Sequence, residues 1–332
     1  MNPHVDLIDI DEQGRLVHPR HASAVPPEDV PRILEKHLRL REDTTDIFLY
    51  VHGWRTSSDA AHDAAQRLFA LVDTTMAQQP RSYPRIRRFR PQYVSVRWPS
   101  HSLPTPRGYR TVRDRTAIMA STGQTARLIG SVLGYFNEHR QPPEPGPDVL
   151  ASSYGQYLHC IGHSFGSRFL LHAILESTRR LSQGGPNTLA WPWASSLYPW
   201  TLDSLTLFQA ALPADSFLHS PYAGMLKPNV LNAPIAMTFS PADRALGFWH
   251  RQAEERQNAI GFRGATGPTA SLQTLPLLAT DQHYKLLQST KLLNIDASSH
   301  FRHGKRRPEG AHSDYFHPES AHLLLSLAQA AR

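Results

Sequence analysis

The segment from Tyr157 to Phe169 constrains the fold of this chain more than any other. It places Gly162-His163-Ser164-Phe165-Gly166 between a strand-like apolar run, 157–161, and a helix-like run, 167–176. The two glycines lack Cβ atoms, so the backbone can turn sharply and thrust the Ser164 Oγ above the end of a sheet. Such a strained serine is typical of a nucleophile, although Gly-x-Ser-x-Gly also occurs in ordinary turns.

Strand-like and helix-like segments alternate along most of the chain. We predict strands at 46–51, 93–98, 157–161, 205–210, 234–240 and 292–298, and helices at about 27–39, 58–76, 112–137, 167–181 and 318–330. This alternation predicts an α/β fold with a mainly parallel central sheet and helices on both faces. Residues 5–19 alternate apolar and acidic residues around Glu12-Gln13-Gly14, which predicts an N-terminal β-hairpin.

Two loop-rich segments interrupt this pattern, and we interpret them as insertions of a cap or lid type in one domain of residues 1–332. The first, 183–204, contains Trp191, Trp193, Tyr198 and Trp200 among prolines, and the second spans 255–285. Aromatic side chains in the first could line an apolar substrate pocket, or could fill the core of the protein itself.

The strand 46–51 ends in His52-Gly53-Trp54, a second chemical landmark. A turn at Gly53 would direct the N–H of Trp54 into the space above the sheet. Together with the N–H of Phe165, it would form an oxyanion hole with two donors. His52 is expected to shape this loop, and the alternative is that Gly53 only ends the strand.

A serine nucleophile needs a base and an acid, expected here in the order serine, acid, histidine. Asp243 follows the strand 234–240 and is the favoured acid, with Asp215 as the alternative one strand earlier. Beyond the last strand we favour His312 as the base, since His300 follows that strand too closely and the other candidate, His303, belongs to a basic cluster. Either aspartate could instead be a turn or cap residue.

Composition limits which classes of function and which kinds of site remain possible. The net charge is +7, and arginines cluster at 85–90 and 302–307, yet an overall compositional bias explains them better than nucleic-acid binding. The single cysteine, Cys160, excludes an internal disulfide and is expected to be a core residue. The spacing of His300, His303 and His312 fits no compact metal site, and neither a metal nor a cofactor is expected. Without a signal peptide or apolar span, we expect a cytoplasmic protein by default, with signal-independent export left open.

Several stretches, in chain order over about residues 45–330, resemble the α/β-hydrolase superfamily and, more narrowly, its bacterial serine esterases and lipase-like proteins. They are Val51-His52-Gly53-Trp54, Arg97-Trp98-Pro99-Ser100, Gly162 to Gly166, Phe239 to Leu246 and His312-Ser313-Asp314-Tyr315. The resemblance implies Ser164 as nucleophile, Asp243 as acid and His312 as base, with oxyanion donors at Trp54 and Phe165. The two insertions match nothing in the family, and they would select the substrate.

Two functions follow as expectations. The first is a serine hydrolase, a carboxylesterase or lipase that cleaves a small-molecule or lipid ester through an acyl-enzyme intermediate, with a membrane surface as an open partner. The second is a catalytically silent hydrolase fold that binds an anionic partner through its basic clusters.

Overall fold

A single sheet of eight strands organises the protein. The computed structural model describes residues 2–54, 56–103, 105–121, 124–140, 156–182, 202–226, 231, 233–304 and 309–332. Its strands are β1 (Val5–Asp9), β2 (Asp46–Val51), β3 (Pro91–Arg97), β4 (Tyr157–His163), β5 (Ser204–Phe208), β6 (Ile235–Phe239), β7 (Leu272–Pro276) and β8 (Leu292–Asp296). They lie in the order β1-β3-β2-β4-β5-β6-β8-β7, and every neighbouring pair is parallel. The expected α/β class with a mainly parallel sheet is therefore confirmed.

Helices cover both faces of the sheet. They are α1 (Val30–His37), α2 (Ser58–Gln78), α3 (Pro106–Ser121), α4 (Gln124–His139), α5 (Gly166–Ser182), α6 (Arg251–Ala253), α7 (Ile260–Arg263) and α8 (Pro318–Ala330). A π-helix, Ala245–His250, runs directly into α6. Along β2 the side chains alternate between two cores: Ile47 and Leu49 join the core beneath α1, α3, α4 and α5, while Phe48 and Tyr50 join the core beneath α2 and α8.

The expected helix over 112–137 corresponds to α3 and α4, and residues 122 and 123 between them lie outside the described residues. The first of them begins earlier than expected, inside the proline-rich stretch. Proline is tolerated in the first turn of a helix, so Pro106 can start α3. The Thr105 Oγ1 accepts a hydrogen bond from the Gly108 N–H at 3.0 Å and caps this end.

The expected N-terminal β-hairpin is found only in part. β1 pairs in parallel with β3 at the edge of the sheet, and only one antiparallel bridge, Ile10 to Leu16, follows it. The Asp11 carboxylate accepts hydrogen bonds from the backbone N–H groups of Gln13 and Arg15, which closes a tight turn directly after the strand. The returning chain contacts β1 only at its end, where the Val17 N–H donates to the Asp9 carbonyl at 2.8 Å, and Val17 then bridges to Ala24.

The expected insertion at 255–285 is also partly wrong, because it contributes an edge strand to the sheet. Residues Leu272–Pro276 form β7, which pairs in parallel with β8. The strand escaped prediction because it is short, only half-buried and ended by a proline, which is tolerated at a sheet edge. Of the other expected insertion, residues 183–201 lie outside the described residues, and Ser204 begins β5.

Candidate functional site

A sharp turn between β4 and α5 carries Ser164. Its φ is +53°, in the left-handed region that non-glycine residues rarely adopt. Both flanking glycines are needed, because a Cβ on Gly166 would lie 2.2 Å from the Val51 carbonyl oxygen, and one on Gly162 would lie 2.7 Å from the Ser167 Cα. The Ser164 N–H donates to the Phe208 carbonyl at 3.0 Å, which holds the strained backbone against the end of β5.

Three of the residues singled out in the sequence meet at this turn. The Ser164 Oγ lies 2.8 Å from His312 Nε2, and His312 Nδ1 lies 2.8 Å from an oxygen of Asp243. All three residues are buried. Because an ionised carboxylate only accepts hydrogen bonds, Nδ1 carries the proton and Nε2 is free to accept from the serine hydroxyl. Residues that lie 148 and 69 positions apart thus form one hydrogen-bonded chain.

The loops after β6 and β8 place the acid and the base against each other. Asp243 lies just beyond β6, and its second oxygen accepts the Leu246 N–H at 3.0 Å. An antiparallel bridge joins Asp243 to Gly310, and the Ala311 N–H donates to the Ala242 carbonyl at 3.0 Å. The loop that carries His312 is therefore fastened by its backbone to the loop that carries the carboxylate.

No protein-family model matches this sequence, and a search of curated proteins returns no match. What the site can do must be argued from its own geometry.

Gln209, which the sequence analysis did not single out, ties these groups together. It follows β5 with a φ of +44° and is fully buried. Its Nε2 donates to the Asp243 carboxylate at 3.1 Å and to the Ala311 carbonyl at 2.9 Å. Because the sequence predicted a strand as far as residue 210, Gln209 was not considered as a residue of the loop that follows the strand. Its position at the carboxyl end of a central strand was the only available signal.

The other candidates lie elsewhere. Asp215 is half-buried and lies 3.5 Å from His219, whereas the carboxylate on His312 is that of Asp243. His300 lies 3.8 Å from Glu319, and His303 lies 3.2 Å from Asp314.

His163 does not contact the Ser164 hydroxyl, but it supports the base. Its Nε2 lies 2.9 Å from the His312 carbonyl oxygen, so the ring donates a hydrogen bond to that carbonyl. Burial, reinforced by the neighbouring His312, lowers the pKa of His163 well below its ordinary value. The ring is therefore neutral and supports the backbone of His312 without adding a charge.

The loop His52-Gly53-Trp54 packs directly against Ser164. A Cβ on Gly53 would lie 2.7 Å from the Ser164 Cβ. His52 fixes this loop, because its Nδ1 donates to the Gly53 carbonyl at 2.9 Å and its Nε2 accepts the Trp98 N–H at 3.0 Å. Burial lowers the pKa of His52 to about 4, so the ring stays neutral. Within the described residues, no atom accepts a hydrogen bond from the Phe165 N–H.

Aromatic side chains form a wall beside this loop. Trp54 packs edge-to-face on Tyr109 and on Trp249, with centroids 5.3 and 5.2 Å apart, and Tyr109 lies 5.0 Å from Phe165. Trp249 belongs to the π-helix that follows Asp243. The acid and one side of the wall are therefore placed by the same short segment.

A second chain of serine, histidine and aspartate lies at the opposite, amino ends of the central strands. His159 Nδ1 is 2.8 Å from the Ser204 Oγ, and His159 Nε2 is 3.1 Å from an oxygen of Asp46. The same aspartate oxygen accepts from Arg332 at 2.7 Å. All three members are buried, and Ser204 begins β5 as an ordinary strand residue.

The surface features named in the sequence are only partly described. Arg85, Arg87, Arg88 and Arg90 are exposed on the segment before β3, whereas residues 305–307 of the second arginine cluster lie outside the described residues. Among the helices that the structure describes, none combines the length and apolar character needed to cross a membrane.

Proposed function

We propose that the protein is a serine hydrolase of the α/β-hydrolase superfamily that cleaves carboxylic esters, as a carboxylesterase or lipase-like enzyme. The observation that carries the proposal is the buried hydrogen-bonded chain from Ser164 through His312 to Asp243, with its serine on a left-handed turn. A hydroxyl becomes nucleophilic only when a base can take its proton, and the 2.8 Å contact with His312 Nε2 supports that role.

In the proposed reaction, the Ser164 Oγ attacks the ester carbonyl carbon while His312 Nε2 takes the hydroxyl proton. Asp243 holds the imidazole in the required tautomer and stabilises the imidazolium that forms. Collapse of the tetrahedral intermediate breaks the bond to the alcohol, which leaves with the proton from His312. A water molecule, deprotonated by the same imidazole, then attacks the acyl-enzyme and releases the carboxylic acid.

The negative charge on the carbonyl oxygen needs fixed donors, and we assign the backbone N–H groups of Trp54 and Phe165 to this role. The close approach of Gly53 to Ser164 supports the first, and the uncommitted N–H of Phe165 supports the second. Loss of one such donor typically costs about 10² to 10³ in rate.

An apolar acyl group is the substrate class that the surroundings favour. Trp54 and Phe165 carry the two proposed oxyanion donors, and their buried side chains pack with those of Tyr109 and Trp249. Aromatic walls favour apolar groups because contact removes apolar surface from water.

A fluorophosphonate probe tests the proposal, since it reacts covalently with an activated serine. We expect labelling of the native protein and none of Ser164→Ala. Ser204→Ala is the matched control and should still be labelled, because Ser204 also has a histidine and an aspartate beside it, His159 and Asp46, but lies in a strand. A panel of p-nitrophenyl esters of increasing acyl length would then measure the acyl preference. Absence of labelling, with salt-sensitive binding to anionic lipid or nucleic acid, would favour the silent binding protein instead.

A further inference from the structure

The loop that carries His312 has a second group of histidine and carboxylate side chains on its outer side. His303, Asp314 and His317 present one ligand atom each, and these atoms all lie within 4.8 Å of one another. Two of these atom pairs are within hydrogen-bond distance: His303 Nδ1 lies 3.2 Å from one Asp314 oxygen, and His317 Nε2 lies 3.1 Å from the other. We propose that these three side chains bind one Zn²⁺ ion.

The distances fit such an ion. Zn²⁺ binds imidazole nitrogen and carboxylate oxygen at about 2.0–2.2 Å, and tetrahedral bonds of that length place neighbouring ligand atoms about 3.3–3.5 Å apart. The two observed contacts are within a few tenths of an ångström of this spacing. Only a small outward movement of the rings is needed to admit the ion, with water completing its coordination.

Two of the three ligands are already held in place. One oxygen of Asp314 accepts the backbone N–H groups of Arg302 and His303 at 2.8 and 2.7 Å, which fixes the carboxylate. The His317 ring stacks on buried Phe301, with centroids 5.7 Å apart. His317 is also the N-cap residue of α8. Ligands supported in this way lose little freedom when a metal binds, which is the usual function of groups around a metal site. The third ligand, His303, has a side chain that is 81% exposed and supplies the entry side.

The ligand set selects the ion. Two imidazole nitrogens and one carboxylate suit Zn²⁺, whereas Ca²⁺ and Mg²⁺ prefer sites made entirely of oxygen. Binding replaces two histidine–carboxylate hydrogen bonds with coordinate bonds, so the ring proton must leave the nitrogen that faces Asp314, and each ligating ring then carries its proton on the other nitrogen, His303 Nε2 or His317 Nδ1.

Such an ion would restrict the movement of the loop that carries His312. Its ligands come from both sides of the segment that contains His312, at positions 303 and 314–317. The described residues of this segment are also joined to the rest of the protein by the bridge from Asp243 to Gly310 and by the hydrogen bonds of Gln209 and His163 to the carbonyls of Ala311 and His312. A ligand that binds only the folded protein raises its thermal stability. We expect Zn²⁺ to raise the Tm by about 5 °C at a hundredfold excess over its Kd.

Isothermal titration calorimetry with zinc chloride, on full-length protein stripped of metal by EDTA, tests the proposal. We expect one equivalent of Zn²⁺ to bind, and no saturable binding of Ca²⁺ or Mg²⁺. His303→Ala and His317→Ala should each weaken binding about tenfold or more and abolish the rise in Tm. Anomalous scattering at the zinc edge from soaked crystals should place the ion between the three side chains.

His219→Ala is the matched control, because His219 also contacts an aspartate, Asp215, but the described residues supply no third ligand to that pair. It should bind Zn²⁺ as the native protein does. Since His303 is exposed, its replacement leaves the fold intact, so unchanged binding in that variant would overturn the proposal. Absence of saturable binding by the native protein up to millimolar zinc would also overturn it. Both results are independent of whether Ser164 hydrolyses an ester.

Discussion

Each end of the central strands carries a buried serine, histidine and aspartate that are linked by hydrogen bonds. In our proposal only the group at the carboxyl end is catalytic. At the carboxyl end, Ser164, His312 and Asp243 lie on three loops. At the amino end, Ser204, His159 and Asp46 lie on three neighbouring strands. The contact lengths are similar, so hydrogen-bond distances alone do not distinguish the two.

The backbone of the serine is the first difference. Ser164 has a φ of +53° at a turn flanked by glycines, where its hydroxyl stands apart from the strands. Ser204 pairs in the ladder between β4 and β5, opposite His159. Ser204 therefore lacks the strained turn that is typical of a nucleophilic serine.

The charge around the aspartate is the second difference. Asp46 faces Arg332 at 2.7 Å, and burial alone would raise its pKa, but the arginine and the His159 hydrogen bond outweigh that effect and lower it. Within the described residues, Asp243 has no arginine or lysine partner and accepts from Gln209, Leu246 and His312. Its negative charge therefore remains available to stabilise an imidazolium, whereas that of Asp46 is already balanced.

The largest expected effect is on the serines themselves. Ser164→Ala should lower kcat for a p-nitrophenyl ester by about 10⁶, because the nucleophile and its acyl intermediate are lost. Ser204→Ala should keep kcat within about twofold. Steady-state kinetics on both purified variants checks this pair, and equal losses in the two would remove the distinction between the ends of the sheet.

The carboxyl-end aspartate gives the next largest effect. Asp243→Asn should lower kcat by about 10⁴, because the amide can donate to His312 and so favours the wrong tautomer. The KM should change little, since Asp243 does not contact the substrate in our proposal. The comparison is made by measuring kcat and KM for one ester, and a loss below tenfold would show that another group orients His312.

Much of this end of the molecule could be predicted from the sequence, and the reasons are local. Ser164 stands between glycines after an apolar run, and Asp243 and His312 follow predicted strands at positions where loops of a parallel sheet converge. The framework strands were predictable because each is a short apolar run. The edge strand β7 was missed because it is only half-buried, and β1 was predicted as a strand but with the wrong partner, because strand pairing depends on distant neighbours.

The amino-end chain could not be predicted in the same way. Asp46, His159 and Ser204 meet because of strand register: His159 lies opposite Phe48 on one side and opposite Ser204 on the other. Register across a parallel sheet is set by long-range packing, and no local pattern records it. Gln209 was missed for a related reason, because its contacts with Asp243 and Ala311 come from two other loops.

The amino-end aspartate should affect stability rather than rate. Asp46→Asn leaves the nearly buried Arg332 guanidinium without its counter-charge, so the free energy of unfolding should fall by about 3–5 kcal/mol at neutral pH. Asp29→Asn is the matched control, because its pair with Arg32 is exposed and should contribute less than about 1 kcal/mol. Urea unfolding measures both changes.

The pH dependence sharpens this prediction. The pKa of Asp46 is lower in the folded protein than its ordinary value of 3.8, so its contribution is complete above that value and is lost as the pH falls through the folded pKa. The difference between native protein and Asp46→Asn should therefore be constant at neutral pH and shrink below about pH 4. A difference that persists unchanged to pH 3 would contradict this account of Asp46.

Gln209 should act as a positioning residue, with an intermediate effect. Gln209→Met keeps a similar volume but removes the donor to Asp243 and Ala311, so kcat should fall about 10- to 100-fold at nearly constant KM. Gln156→Met is the control, because the amide of Gln156 is also buried and donates to two carbonyls, those of Arg41 and Thr44, far from Ser164. Both variants should lose comparable stability in urea, and only the first should lose rate. Equal rates in the two variants would show that Gln209 has a purely structural role.

The smallest effect is expected from Ser204→Ala on stability. The hydroxyl contributes one hydrogen bond to His159, while Asp46 and Arg332 remain paired, so the free energy of unfolding should fall by about 1 kcal/mol. Thermal unfolding monitored by circular dichroism measures the stability of Ser204→Ala, and the same measurement on Asp46→Asn allows the two losses to be compared directly. A loss as large as that of Asp46→Asn would mean that the three side chains act as one cooperative unit. In that case the stability of the protein would depend on all three amino-end side chains together, just as the proposed activity depends on all three carboxyl-end side chains.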